Sequence, residues 1–328
     1  MRIASLLASG TEIAALLGRA DDLVGISHEC DFPPSIRDLP VLTGSYIDHR
    51  ARSDVIHRQV QERVLMALSL YKVDNDLVAK LQPDVIITQE QCDVCAVTFD
   101  DVKEAICNLL QKPVKIVSLN PTSLSEIFED VRRVARAIDA SPEPLIETMN
   151  AAIADVKSKT SAIGNKPRVA IVEWIDPIFV GANWMPELIE IAGGESVFGT
   201  SGEKSFVIEP STLAEANPDV IIVAPCGFKL PQTKRDLPLL ASKPEWQSLD
   251  AVRNGRAYLA DGNAYFNRSS PRLLTECLPM LAGLIHFGSG LFEAELARAK
   301  QNGMWEVYDN SIINRYAANL ELSEKRAD

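Results

Sequence analysis

Two short stretches concentrate the soft donors of this chain. Gln91-Cys92-Asp93-Val94-Cys95 sets two thiols at the spacing of a metal knuckle or a redox pair, and Ser27-His28-Glu29-Cys30-Asp31 adds an imidazole and a third thiol. Cys92, Cys95, Cys30 and His28 make up a Cys3His set of the kind that holds zinc, and the same donors suit a softer metal ion. The spacing does not require a metal, because a lone CxxC is common and reduced cysteines in loops often carry no function. Cys107 and Cys277 fall within helical patterns and read as small buried apolar residues.

A second chemical signal is aromatic. Aromatic residues make up 6% of the chain, yet Trp174, Phe179, Trp184, Phe228, Tyr265 and Phe266 fall at or near the ends of expected strands. Rings placed there without a helical period suit a broad, flat ligand that packs on ring faces. The plainer alternative is that they cover the core beneath them. Catalytic signatures are missing: there is no GxGxxG after the first strand, no Walker loop and no GxSxG. Gly193-Gly194 ends a helix and so presents carbonyls instead of phosphate-binding amides. His49 and His57 flank the helix expected from Ser53, and His286 ends a late helix, so no histidine sits in an evident triad. The residues point to binding without enzymatic chemistry and without a required cofactor.

The elements that must position these residues alternate between strand and helix. In the first half, strands are expected over 2–7, 23–27, 84–88 and 114–118, with Ser9-Gly10-Thr11 as a turn. Helices are expected over 12–17, 53–70, 76–81, 100–110 and 122–138. The proline-rich stretch 28–49 reads as a long irregular segment, and it is a candidate interaction surface. The second half repeats the plan, with strands over 168–172, 219–223 and 256–259 and helices over 185–192, 210–216 and 271–286. LVAKLQPDVII (77–87) and TLAEANPDVII (212–222) place helix, proline, aspartate and a β-branched strand in one order. Between the halves lies SPEPLIETMNAAIADVKSKTSAIG (141–164). Ser141 is its expected N-cap, and Leu145, Met149, Ile153, Val156, Thr160 and Ile163 form one apolar stripe.

This order predicts an α/β protein of two Rossmann-like lobes with mostly parallel sheets, joined by one long inter-domain helix. The expected divisions are an N-terminal lobe (1–140), the linking helix (141–164), a C-terminal lobe (165–287) and a C-terminal helical extension (288–328). In open α/β sheets ligands collect at the carboxyl ends of the strands, so Ser9, Gln89 and Phe228 are candidate contacts. A long helix shared by both lobes is expected to act as a stiff spine that suits a large, preformed ligand.

A length of 328 residues exceeds the usual single core, consistent with two lobes. The net charge of −12 and the lack of a basic run disfavour nucleic acid and anionic membrane surfaces as partners. No run of about 18 apolar residues is present for a membrane span. Ser5, Ser9, Gly10, Thr11 and Glu12 interrupt the apolar start, which reads as strand and helix instead of a secretory leader. On that reading the chain is cytoplasmic, or periplasmic if a leader has been removed.

WMPELIEIAGGESVFG (184–199), the two PDVII strands and YFNRSSPRLL (265–274) together resemble the substrate-binding proteins of vitamin B12, siderophore and haem ABC importers. The resemblance covers residues 1 to 287 in order and is greatest to the members that bind vitamin B12. It implies the class III periplasmic-binding-protein fold, a corrinoid or related metal chelate held in the inter-lobe cleft, and an ABC permease as partner. It places Trp174, Trp184 and Tyr265 around the corrin and Arg268 beside it, and a donor from the Cys/His set could ligate a corrin cobalt. It also implies permease docking by one carboxylate on each lobe, at Asp76 and Glu190. Two positions depart from the pattern: Gln89 stands where the B12 binders have tryptophan, and Ala264 where they have an acid. The competing reading is a cytoplasmic metal- or thiol-dependent protein built on the same fold around Cys92 and Cys95.

Overall fold

The computed structural model describes residues 1–65, 71–89, 109–309 and 311. Cys92, Cys95, Cys107, most of the expected helix near 100–110 and most of the tail beyond 309 lie outside them. The chain divides into two compact units. The first comprises 1–51, 58–149 and 269–271, and the second 52–57, 150–268 and 272–328. The helix Glu143–Thr160 is therefore shared, the division falling between Met149 and Asn150. Its expected stripe is real: Met149, Val156 and Thr160 are buried, and Leu145, Ile153 and Ile163 are half-buried. Ser141 does not cap it as expected but donates its hydroxyl to Glu143 Oε2 at 2.6 Å.

The first unit contains β1 (Ile3–Ser5), β2 (Leu23–Gly25), β3 (Thr43–Ser45), β4 (Tyr71–Val73), β5 (Val85–Gln89) and β6 (Lys115–Leu119). Four of these form an all-parallel sheet in the order β2-β1-β5-β6, while β3 and β4 pair separately and antiparallel. The residues Ser9-Gly10-Thr11 are not a turn. They lie in the helix Ala8–Ala14, whose Thr11 N–H donates to Leu7 O at 3.2 Å. Gly10 serves packing: a Cβ there would stand 2.5 Å from Ile87 Cγ2, so only glycine lets this helix lie so close to β5.

The second unit contains β7 (Arg168–Trp174), β8 (Ile178–Val180), β9 (Glu195–Ser196), β10 (Phe206–Ile208), β11 (Val220–Val223), β12 (Ala257–Ala260) and β13 (Trp305–Val307). They form one mixed sheet in the order β10-β8-β7-β11-β12-β13, with β9 beside β7. The parallel centre is β7, β11 and β12, and every residue of β11 and β12 is buried, as continuous apolar runs require. The antiparallel edges β8, β10 and β13 were not expected. The tail read as a helical extension contains the helix Glu293–Gln301 followed by a strand, because β13 completes the sheet beside β12. The expected helix 271–286 is regular only over Leu278–Ile285, after a wider-turned segment Leu273–Cys277. Pro279 lacks the N–H that would continue the regular ladder across this join.

The internal repeat extends to individual hydrogen bonds. In the first unit the Arg2 N–H donates to Asp84 Oδ2 (2.9 Å), Asp84 N–H donates back to Arg2 O (2.7 Å), and Arg2 Nε reaches Leu81 O (2.8 Å). In the second, Arg168 N–H donates to Asp219 Oδ2 (2.8 Å), Asp219 N–H returns to Arg168 O (2.8 Å), and an Arg168 guanidinium nitrogen reaches Ala216 O (2.7 Å). Each clasp follows a helix whose C-cap residue, Gln82 or Asn217, is left-handed. The PDV motif thus ties the start of one strand to the start of its neighbour in both units.

Candidate functional site

The parallel strands β7, β11 and β12 deliver three loops to one edge of the second unit: Trp174–Pro177, Ala224–Phe228 and Asp261–Arg268. Main-chain bonds lace them together. Cys226 N–H donates to Glu173 O (2.8 Å), Gly262 N–H to Phe228 O (3.0 Å) and Asn263 N–H to Phe228 O (3.1 Å). Asn267 Nδ2 donates to Ala224 O at 2.9 Å. At Gly262 a Cβ would lie 2.1 Å from Pro225 O, so this close approach of two backbones needs glycine.

The aromatic set divides on this scaffold. Trp174 is half-buried and packs its ring on Phe228 at 5.1 Å between centroids, and its buried Nε1 has no hydrogen-bond partner among the described residues. Phe179 is also half-buried, with the His57 ring 5.8 Å away. Phe228, Trp184, Tyr265 and Phe266 are buried. Trp184 Nε1 donates to Phe266 O at 3.0 Å, and the Tyr265 hydroxyl donates to Glu276 Oε2 at 2.6 Å. These rings hold the Asp261–Arg268 loop from behind, and Trp174 and Phe179 are the ones that reach the surface. Arg268, expected as a donor to a ligand, is buried.

Glu276 anchors that support. Burial works against its charge, but hydrogen bonds from Arg272 (2.9 and 3.0 Å) and Tyr265 prevail and hold its carboxyl below the usual range. The Tyr265 phenol is pushed up by burial and by this carboxylate, so it stays protonated and donating. Arg272 also lies over the Tyr265 ring, 5.1 Å from its centroid. Next to Trp174, Glu173 behaves oppositely. Burial pushes its carboxyl up to about 7, opposed by a hydrogen bond from the Ser205 hydroxyl. Glu173, near the carboxyl end of β7, carries no sign of its burial in the sequence, because Ser205 and Gly181 reach it from later segments.

In the first unit, Ser9 is buried on the helix following β1, and Gln89 is exposed at the carboxyl end of β5. His28 and Cys30 follow β2 but diverge: Cys30 Sγ lies 3.0 Å from Thr11 Oγ1, whereas His28 lies beside Glu29 and His49. Cys92 and Cys95, the other two donors of the expected Cys3His set, lie outside the described residues. Asp76 is exposed on the first turn of the helix Asn75–Leu81, and Glu190 is exposed near the end of the helix Met185–Ile191. No helix among the described residues is long and apolar enough to cross a membrane.

Known proteins share both this sequence pattern and this architecture. The chain is 20% identical over 282 residues to an uncharacterised ABC transporter substrate-binding lipoprotein of Bacillus subtilis, covering 83% of this chain and 76% of the relative. It is 23% identical over 289 residues to a vitamin B12-binding protein of Yersinia pestis, covering 83% and 82%. Its fold matches the periplasmic heme-binding protein of Roseiflexus sp. RS-1 in apo form with a TM-score of 0.62, at 21% identity and over 87% and 98% of the two chains. A cytoplasmic location finds no support in these relatives, two of which are named as a lipoprotein and a periplasmic protein, whereas the periplasmic alternative agrees with them. The family model described as periplasmic binding protein matches residues 3–264, most of both units, and the chain belongs to that family as a binding protein and not an enzyme.

Proposed function

We propose that this chain is the substrate-binding component of an ABC-type uptake system, acting outside the cytoplasmic membrane, and that its substrate is a corrinoid or a closely related metal chelate. The observation that carries the reading is the half-buried Trp174 ring packed on Phe228 at the carboxyl ends of β7 and β11, on loops braced by buried aromatic residues. Such a surface suits a large flat solute, and apolar ring faces supply most of the contact energy at sites of this kind. The names of the relatives, vitamin B12-binding and heme-binding, describe solutes of that shape. Trp174 would meet the solute, whereas Trp184, Tyr265 and Arg268 would hold the loop that faces it.

Titration of the purified chain with cobalamin and, separately, with haem tests the proposal by absorbance. Saturable binding of one of them is expected, and Trp174→Ala should weaken it by at least about tenfold, as loss of an aromatic anchor does. No saturable change with either solute, or binding indifferent to Trp174→Ala, would contradict the assignment. Exposed carboxylates at Asp76 and Glu190 suit docking to arginines of a permease. Asp76→Arg with Glu190→Arg should leave the titration unchanged and abolish solute uptake in cells.

A further inference from the structure

We infer that the first unit holds a divalent transition-metal ion on His28 Nε2, the Glu29 carboxylate and His49, an assignment that does not depend on the proposed substrate. One potential ligand atom from each of these three residues, a ring nitrogen or a carboxylate oxygen, lies within 4.8 Å of the others. Two imidazoles and one carboxylate are the donors preferred by zinc and its first-row neighbours.

The tautomer of His28 supplies an independent reason. Thr43 Oγ1 donates its one hydrogen to Ser27 Oγ at 3.1 Å and accepts the His28 main-chain N–H at 3.1 Å. The same oxygen lies 2.6 Å from His28 Nδ1, and with its hydrogen committed it can only accept there. Nδ1 therefore carries the ring proton, and Nε2 presents a bare lone pair. That atom is buried and has no hydrogen-bond partner among the described residues. A neighbouring oxygen that accepts from Nδ1–H and leaves Nε2 for a cation is the arrangement that orients metal-binding histidines. The Tyr71 ring, 5.8 Å from the His28 ring, forms one wall.

The geometry needs only a small adjustment. In a tetrahedron with bonds of about 2.0–2.2 Å, neighbouring donors stand about 3.3 Å apart, so the widest pair would close by about 1.5 Å. His49 is exposed and Glu29 half-buried, so side-chain rotation can provide this. Three protein donors leave at least one position for water or an external donor.

The test uses the full chain, stripped of metal by chelator dialysis, with cobalt(II) chloride as probe. A parallel chain carrying Cys30→Ser, Cys92→Ser and Cys95→Ser separates this site from the thiols. One equivalent of cobalt is expected to bind to both chains, with visible d–d absorption that zinc displaces. His28→Gln should abolish it, and Thr43→Val should weaken it about tenfold or more through the freed ring. His49→Gln, altering an exposed residue, should weaken it similarly while leaving the metal-free melting temperature unchanged. Binding that disappears in the thiol-free chain, or that survives both His28→Gln and His49→Gln, would overturn the assignment.

Discussion

Replacing Glu173 by Gln should make the second unit more stable at neutral pH. The carboxyl is pushed from its ordinary 4.5 up to about 7 by burial, and the Ser205 hydroxyl offsets only part of that cost. Ser205 Oγ itself accepts from Ala182 N–H at 3.1 Å and Asn183 Nδ2 at 3.4 Å, which turns its hydrogen toward the carboxylate. Between 4.5 and 7 the folded chain keeps a proton that the unfolded chain has released, so folding stability falls as pH rises through this window. At about 1.4 kcal/mol per pKa unit, the loss by about pH 8 is on the order of 3 kcal/mol. The amide of Glu173→Gln keeps the shape and never ionises. At about 2–4 °C per kcal/mol, melting of the second unit should rise by roughly 5–10 °C at about pH 8 and change little at about pH 5. Calorimetric scans of both proteins across that range measure the difference directly. Equal melting temperatures at the alkaline end, with parallel pH profiles, would refute the reasoning.

Asp130 gives a milder case in the first unit. Its carboxyl is pushed up to about 6 by burial although Arg133 sits 2.9 Å away, so Asp130→Asn should stabilise the neutral-pH protein by roughly 1 kcal/mol after loss of the ion pair; chemical denaturation measures it. Gly262→Ala forces a methyl against the carbonyls of Pro225 and Ala224, which cannot rotate away. A destabilisation of about 2–4 kcal/mol and weakened solute titration are expected, and unchanged melting would exclude that tight approach. Buried Asp236 accepts the Ser53 N–H at 2.6 Å and pairs with Arg235 at 2.5 Å. Asp236→Ala should cost about 1–3 kcal/mol and speed amide exchange at Ser53, which hydrogen exchange reads residue by residue.

What the sequence discloses follows from the range of the forces involved. The β-branched runs at 85–87 and Val220–Val223 announce central strands, because burial on both faces leaves no polar residue among the apolar ones. The three-residue strands β8, β10 and β13 are too short to show a period, and their pairing is set by partners far along the chain. Ser9-Gly10-Thr11 has turn composition, yet Gly10 answers to Ile87, some 77 residues away. The candidate site shows the same limit. The loop positions of the aromatic residues were legible, but the burial of Trp184 and Phe266 behind the loop was not. His28 was visible as a donor, whereas its neighbour His49 joins it only because residues 40–43 run beside 26–28, through the Ile26–Val41 bridge and the bond from the His28 N–H to Thr43 Oγ1.

The paired Arg–Asp clasps stand at the amino-terminal starts of β1 and β7, and in the second unit the loops proposed to meet the substrate leave the opposite end of the sheet. Determinants of folding and determinants of recognition are thereby kept apart along each strand. Lineages built on this scaffold are free to exchange loop sequences, and with them the solute accepted, without disturbing the bonds that start the sheet. The two clasps can then stay in place under the wide sequence drift that the 20% identity between this chain and its Bacillus subtilis relative represents. On the proposed function, transplanting the 261–268 loop between such proteins should alter the solute bound, provided that its glycine travels with it.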